Sequence, residues 1–223
     1  MLNTSDRRGR PKQNEELILA RRLQICDAAI KLFSSKGFHS TTIESVAQAA
    51  DVSVGLIYKY FKDKEDILYF AFNVFLDDYS KEIPKAVALS TDPLDKFHAT
   101  VHAYAKIIDK RKRTALLANR ASHSLDRERF NLISQKELVI NSLIFNAVND
   151  CIAAGVFKNI DAQMFAYQIV VFVNSWPLDA WRLPRPLSIE QFVNRGLALM
   201  LPAVESRPAR KATADVRSKT RRT

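Results

Sequence analysis

The stretch that most limits what this chain can become is residues 41–64, TTIESVAQAADVSVGLIYKYFKDK. It reads as two short helices joined by a tight turn, with a third helix directly after. Thr41 is placed to cap the first helix, with Glu44 three positions on completing a capping box. Ile43, Val46, Ala47 and Ala50 then recur at the spacing of one buried helix face. Asp51, Val52 and Ser53 break the pattern. Asp tolerates a left-handed backbone better than most residues other than Gly, and Ser53 suits the cap of the next helix. That second helix, residues 54–61, is too short to stand alone, so packing must hold it.

A wheel at ~100° per residue divides the short helix between two jobs. Ile57 and Phe61 share the side that would bury against the first helix. Gly55 and Lys59 lie opposite, flanked by Leu56 and Tyr58. The outer side thus presents a position without a side chain, a cation and a phenol. A small residue lets the backbone approach a partner closely. Tyr and Lys can contact phosphates, and Tyr or Leu can touch base edges or thymine methyls. Such a helix pair fits a helix-turn-helix, whose second helix enters the major groove of DNA. The candidate DNA-contacting residues are Thr41, Thr42, Ser53, Val54, Gly55, Leu56, Tyr58, Lys59, Tyr60 and Lys64.

The same run resembles the DNA-binding signature of TetR-type (tetracycline-repressor-like) transcriptional regulators. The match rests on Val52 and Ser53, on Gly55 and the triplet Leu56, Ile57, Tyr58, on Tyr60 and Phe61, and on Lys64 and Glu65. It covers roughly residues 21–76. Asp51 departs from the pattern, standing where the family often has Gly. The resemblance implies a homodimer, a palindromic operator in double-stranded DNA, and a small-molecule effector that relieves repression.

Of 223 residues, 47% are hydrophobic and only 5 are Gly, which argues for packed helices and against disorder or an all-β fold. Cys26 and Cys151 fall within apolar helical patterns, pointing to buried thiols in a reducing compartment, with no disulfide framework or zinc site. The first residues show no apolar signal segment. The most apolar segment, residues 164–176, is interrupted by Gln168 and Asn174 and is too short to span a bilayer. A soluble cytoplasmic protein without a membrane partner is the expectation.

The net charge of +10 gathers at the ends. Residues 1–14 hold four cations and one anion, and residues 205–223 hold seven cations and two anions. Neither end has apolar periodicity, so both should be disordered when free and suited to polyanions. Within the first, Arg8, Gly9, Arg10 and Pro11 resemble the core of an AT-hook. Arg8 and Arg10 are therefore candidates for a narrow minor groove, with a plain basic tail as the alternative.

The rest reads as helices, giving an all-α fold. It comprises a basic arm (residues 1–14), a three-helix helix-turn-helix head (15–80), a helical ligand-binding and dimerisation body (81–204) and a basic tail (205–223). The first helix, residues 15–36, stops at Gly37, and its Arg21 and Arg22 could reach phosphate. Asp63 caps a helix that should end at Pro84 and is apolar almost all round, as a lever packed on several sides would be. Residues 110–113 read as a solvated bend. Ser188 caps the last helix, which Pro202 should end.

In the body, Phe97, Val101, Tyr104 and Ile108 form one stripe, joined by Phe145, Phe172 and Trp176 on other helices. Polar residues Asn119, Arg120, His123, Asn141 and Asn174 interrupt these stripes. An apolar cavity with a few polar groups is how a small-molecule site is built; for each aromatic alone, plain core is the alternative. The resemblance adds that this body binds the inducer, and that residues 116–125, with Arg120 and His123, are similar to members sensing acyl-CoA or hydrophobic acids. The last two helices carry more apolar surface than one core can use. That makes Phe165, Ile169, Phe192, Val193, Gly196, Leu197 and Met200 candidates for a four-helix bundle between two copies.

His98 and His102 have a metal-holding spacing but lack a third ligand in sequence reach, so they read as a half-buried pair. No nucleophile–base–acid set, Gly-rich phosphate loop or Cys-X-X-Cys motif assembles, so no enzyme, metal or cofactor is expected. The favoured function is a ligand-responsive, dimeric DNA-binding repressor. The alternative is a helical small-molecule-binding protein or enzyme whose basic tails serve only solubility.

Overall fold

The computed structural model describes residues 10–183 and 186–206. Arg8 and the rest of residues 1–9, the side chain of Arg10, and the tail from residue 207 lie outside the described residues. The elements in order are α1 (Arg10–Lys36), α2 (Ile43–Ala49), α3 (Val54–Tyr60), α4 (Lys64–Val87), α5 (Pro93–Lys110) and α6 (Lys112–Ala121). A short 3-10 turn (Ser122–Ser124) leads into α7 (Arg127–Ala153), α8 (Ala162–Asn174) and α9 (Trp176–Asp179); a second 3-10 turn precedes α10 (Ile189–Val204). Helix α1 thus starts five residues before the expected residue 15.

Most helix starts are set by local chemistry. The first amides of a helix have no intrahelical partner. Ser53, Asp63, Asp92, Asp126, Asp161 and Ser188 each accept a hydrogen bond from such an amide. At α2 the cap is Thr42, one residue later than expected. Its Oγ1 accepts from Ser45 N at 3.2 Å, and Ser45 Oγ accepts from Thr42 N at 3.2 Å. Thr41 is otherwise engaged: it is 1% exposed, and its hydroxyl donates to Gly37 O at 2.7 Å. Gly37 itself ends α1 with φ +87°, a conformation that disfavours any side chain. Asp51 takes the left-handed turn at φ 54°, as its residue type allows.

Two expected stops do not stop their helices. Pro84 lies inside α4 and Pro202 inside α10. Proline removes its own N–H, but its carbonyl still serves: Ala88 N donates to Pro84 O at 3.0 Å. The corner at residues 110–113 is exposed at Lys110, Lys112 and Arg113, as expected, but tied at Arg111, whose Nε donates to Asp78 Oδ2 at 2.9 Å.

Helix α1 packs against α2, α3, α4 and α6. Helix α5 runs through the body, covered by α4, α7, α8 and α10, with Phe97, Val101, Tyr104, Ala105 and Ile108 buried. Helix α4 joins the two regions, burying Ile67, Leu68, Ala71 and Phe72 near its start and Phe75, Leu76, Tyr79 and Ile83 further on. The end of α10 is fastened back to the α7–α8 loop, Lys158 N donating to Val204 O at 2.8 Å.

The expected dimer residues divide. Phe165, Ile169, Val193 and Leu197 are buried within the single chain, at 7%, 0%, 0% and 1% exposure. Neighbouring helices already cover them, so these side chains are taken up by the core of the single chain. Gly196 permits close approach inside the chain: a Cβ there would overlap the Phe172 ring. Phe172 in turn stacks on Phe192, centroids 4.4 Å apart. Phe192 and Met200 stay half-buried, and the outward apolar residues are Met164, Tyr167 and Val171 on α8 and Leu199 on α10. Both cysteines are buried, and burial pushes the Cys26 thiol up to about 12 and that of Cys151 to about 11. Gly196→Ala should lower stability by about 1–3 kcal/mol, the usual cost of overpacking a core, read as a reduced thermal midpoint by circular dichroism.

Candidate nucleic-acid interface and the body cavity

On α3 the two faces expected from the wheel are present. Ile57 and Phe61 are 0% and 2% exposed, whereas Tyr58 is 55% exposed and Gly55 and Lys59 also face outward. Nothing lies within 4 Å of where a Cβ at Gly55 would stand. The packing of the head does not require glycine there. Ser53 Oγ caps the helix through Leu56 N at 3.2 Å, and Thr42 is exposed at the start of α2. Val54, Leu56 and Tyr60 are half-buried and border this surface. Lys62, absent from the sequence-based set, is exposed directly after α3.

Three expected contacts are engaged elsewhere. Thr41 is buried, as described. Lys64 Nζ donates to the carbonyls of His39 at 3.2 Å and Thr41 at 2.9 Å, and lies over the Phe38 ring at 4.6 Å. This lysine fastens the loop before α2. The Arg22 guanidinium sits over Phe61 at 4.8 Å and Phe70 at 4.2 Å, so it too packs inward. Arg21 stays exposed.

The body contains a cavity of about 380 Å³. Its walls are Phe75, Leu76 and Tyr79 from α4, Tyr104 from α5, Ala115, Ala118 and Asn119 from α6, and Ser122 and His123 from the 3-10 turn. Helix α7 adds Phe130, Ile133, Ser134, Glu137, Ile140 and Asn141, and Asn174, Pro177 and Leu178 close it. At one wall Asn174 Nδ2 donates to Tyr104 Oη at 3.3 Å, and the Tyr79 and Tyr104 rings lie 4.7 Å apart. Burial pushes the Tyr104 phenol to about 12 and that of Tyr79 well above its ordinary value, so both stay neutral hydrogen-bonding groups. His123 stacks on Phe130 with centroids 5.6 Å apart. Among the described residues Glu137 is the one acid in the lining, and no Lys or Arg joins it. It is open to the cavity mouth yet flanked by protein, and that burial raises its carboxyl.

This architecture has many counterparts. Residues 25–69 match the model of bacterial regulatory proteins of the tetR family, and residues 90–178 match the tetracyclin repressor-like C-terminal domain. The HTH-type transcriptional regulator HbdR of Aromatoleum sp. (strain CIB) is 36% identical over 201 residues, 90% of this chain and 88% of HbdR. The chain belongs to the TetR family of transcriptional regulators. A second relative, the HTH-type transcriptional repressor KstR2 of Rhodococcus jostii (strain RHA1), is 24% identical over 83% of this chain and 92% of its own. Among solved structures, KstR2 of Mycobacterium tuberculosis superposes with a TM-score of 0.73 at 21% identity, covering 84% of this chain and 96% of that one. AibR in complex with isovaleryl coenzyme A and operator DNA gives 0.70 at 16% identity, covering 82% and 98%. These relatives are named as regulators, not enzymes, and no helix among the described residues is long and apolar enough to cross a membrane.

Of the residues expected to bind ligand in this regulator, Tyr104 and His123 line the cavity. Phe97, Val101 and Ile108 are fully buried core and do not reach it. Arg120 points to solvent. Phe145 lies on a separate groove between α7 and α8, with Leu138 and Tyr167. Phe172 fills the space at Gly196, and Trp176 donates from Nε1 to Asp109 at 2.7 Å. Among the polar interruptions, Asn119, Asn141 and Asn174 do line the cavity. Glu137 was missed although its spacing carried a signal: it lies four residues from Ile133 and three from Ile140, in line with the buried stripe of α7 although itself exposed.

Tyr58→Ala should leave the melting curve unchanged and weaken specific DNA binding by about 1–3 kcal/mol, read by fluorescence anisotropy; unfolding instead would make Tyr58 a core residue. Glu137 offers a pH test. Its folded carboxyl titrates above its unfolded value, so the native state loses stability as pH rises through that interval. Glu137→Gln should therefore melt above the parent protein at neutral pH, and the two melting curves should converge as acid protonates the parent.

Proposed function

We propose that the protein is a dimeric repressor that binds a palindromic operator and is released by a small apolar or acyl-type ligand held in the body cavity. The observation that carries this reading is the outward face of α3. Gly55, Tyr58 and Lys59 are exposed on a helix whose other side is fully packed, and nothing inside the protein needs Gly55 to be small. Residues 15–80 are assigned to DNA and residues 81–204 to ligand and dimer contacts, with Phe75, Leu76 and Tyr79 of the first segment also walling the ligand cavity. The working DNA set is Thr42, Ser53, Gly55, Tyr58, Lys59 and Lys62, bordered by Val54, Leu56 and Tyr60. A protein acting on chromosomal DNA works in the cytoplasm.

The ligand class follows from the lining. Aromatic and aliphatic walls favour an apolar body, and the asparagines, serines and tyrosines offer uncharged hydrogen bonds. Among the described lining residues Glu137 is the one carboxylate and no Lys or Arg stands with it, so a free carboxylate would meet like charge with no permanent cation to offset it. An acyl group whose carboxyl is masked as an ester or thioester avoids that repulsion. AibR, which shares this fold, has been captured with isovaleryl coenzyme A and operator DNA. The dimer seam is assigned to Met164, Tyr167 and Val171 of α8 with Phe192, Leu199 and Met200 of α10, because these leave apolar surface uncovered.

Footprinting on the DNA upstream of the protein's own gene tests the reading. A protected palindrome is expected; absence of protection would favour a helical small-molecule-binding protein instead. An acyl compound that is a true effector must bind the free protein more tightly than the DNA-bound form, since linkage is reciprocal. Titrating candidates against both forms should show that difference, and equal affinity would remove the compound from the mechanism.

A further inference from the structure

The 3-10 turn and the start of α7 have two faces. Ser122, His123 and Phe130 line the cavity. Their sequence neighbours Ser124 and Arg129 turn the other way and touch the head. Ser124 Oγ lies 3.4 Å from His39 Nε2. Arg129 Nη1 lies 3.3 Å from Asp63 Oδ1 and 3.9 Å from Glu65 Oε2, and its Nε lies 3.4 Å from Asp126 Oδ2. Three acids therefore converge on one guanidinium whose side chain is only 19% exposed. Asp126 belongs to Arg129's own helix start, but Asp63 caps α4 and Glu65 lies in its first turn.

What these groups hold is the mounting of the reading helix. Asp63 directly precedes Lys64, whose ammonium pins the carbonyls of His39 and Thr41. Thr41 in turn precedes the cap of α2. Asp63 also follows α3 by three residues. A shift of the 122–130 segment thus reaches both sides of the helix-turn-helix through Arg129 and Ser124, without passing along α4.

We propose that Arg129 is a positioning residue that carries the state of the cavity to the DNA-reading helix, through Asp63 and the Lys64 clamp. The proposal rests on the DNA-binding reading above. An occupant pressing on His123 and Phe130 moves the backbone that carries Ser124 and Arg129, and the head follows. An isolated exposed ion pair contributes little to stability; this cluster matters because it joins two bodies, and a typical coupling between such sites changes affinity about 5–150-fold.

The test fills the cavity by mutation, so no natural effector is needed. Ala118→Phe intrudes from α6 and Ser134→Leu from α7, so one can replace the other if either fails to fold. Each is combined with Arg129→Gln and with the conservative Arg129→Lys. Two quantities are read: affinity for the upstream DNA fragment, and amide hydrogen exchange over residues 37–64 in the free protein. The filled cavity should change affinity at least about 5-fold and alter exchange over 37–64 in the Arg129 parent. Both effects should vanish with Arg129→Gln and return in part with Arg129→Lys. Equal effects with and without Arg129 would overturn the proposal and leave α4 or the α1–α6 contact as the route. An unchanged exchange pattern in the filled Arg129 parent would overturn it as well. If no variant binds the DNA fragment, the DNA-binding reading fails, while the exchange comparison still decides whether Arg129 couples cavity and head.

Discussion

Helix α4 has to belong to two cores at once. From Ile67 to Ile83 it buries a side chain at nearly every turn, first among the head helices and then against α5 and α7. No glycine or flexible joint separates the two halves, and Pro84 comes only after the last buried residue, in the final turn. Packed interiors resist continuous deformation, so the head does not drift freely relative to the body. Polar ties add to the packing. Arg111 holds Asp78, while Lys136 holds Asp77 and donates to Asn73 Oδ1 at 3.0 Å. The orientation of the reading helix is therefore a property of the whole bundle.

The cavity sits where this arrangement is most sensitive. Close packing leaves few voids larger than a water molecule in ordinary cores, yet about 380 Å³ stays open beside α4, α6 and α7. Its polar groups partly satisfy one another, as Tyr104 and Asn174 do, and buried polar groups without partners are costly. Glu137 stands at the open side, its carboxyl raised by the protein around it. A site that a ligand completes is expected to be less stable empty than filled. The wall facing α4 and the wall facing the 3-10 turn are both in contact with groups that hold the head.

Much of the head was legible because its chemistry is local. The caps at Ser53 and Asp63, the turn at Asp51 and the two faces of α3 each depend on residues within one or two turns of each other. The family signature, matched again over residues 25–69, is made of the same short-range features. Lys64 and Arg22 were misread for the opposite reason. A cation near a helix-turn-helix reads as a phosphate contact, but Lys64 finds carbonyls 23 and 25 residues earlier in the chain. Arg22 finds two phenylalanine rings from α3's end and from α4. Neither partner can be inferred from spacing.

In the body, the sequence by itself determined that the elements are helices, where most begin, and that asparagines and a histidine would interrupt the apolar stripes. Periodicity and capping are properties of the chain within a few residues, so they survive whatever the helices pack against. Which stripe faces inward was decided by tertiary structure. Helix α8 is apolar nearly all round, and its neighbours take Phe165 and Ile169 while leaving Met164, Tyr167 and Val171 outside. The α5 stripe became solid core at Phe97, Val101 and Ile108, and only Tyr104 reached the cavity. Burial is a property of the partners a side chain meets, and those partners lie far away in the sequence.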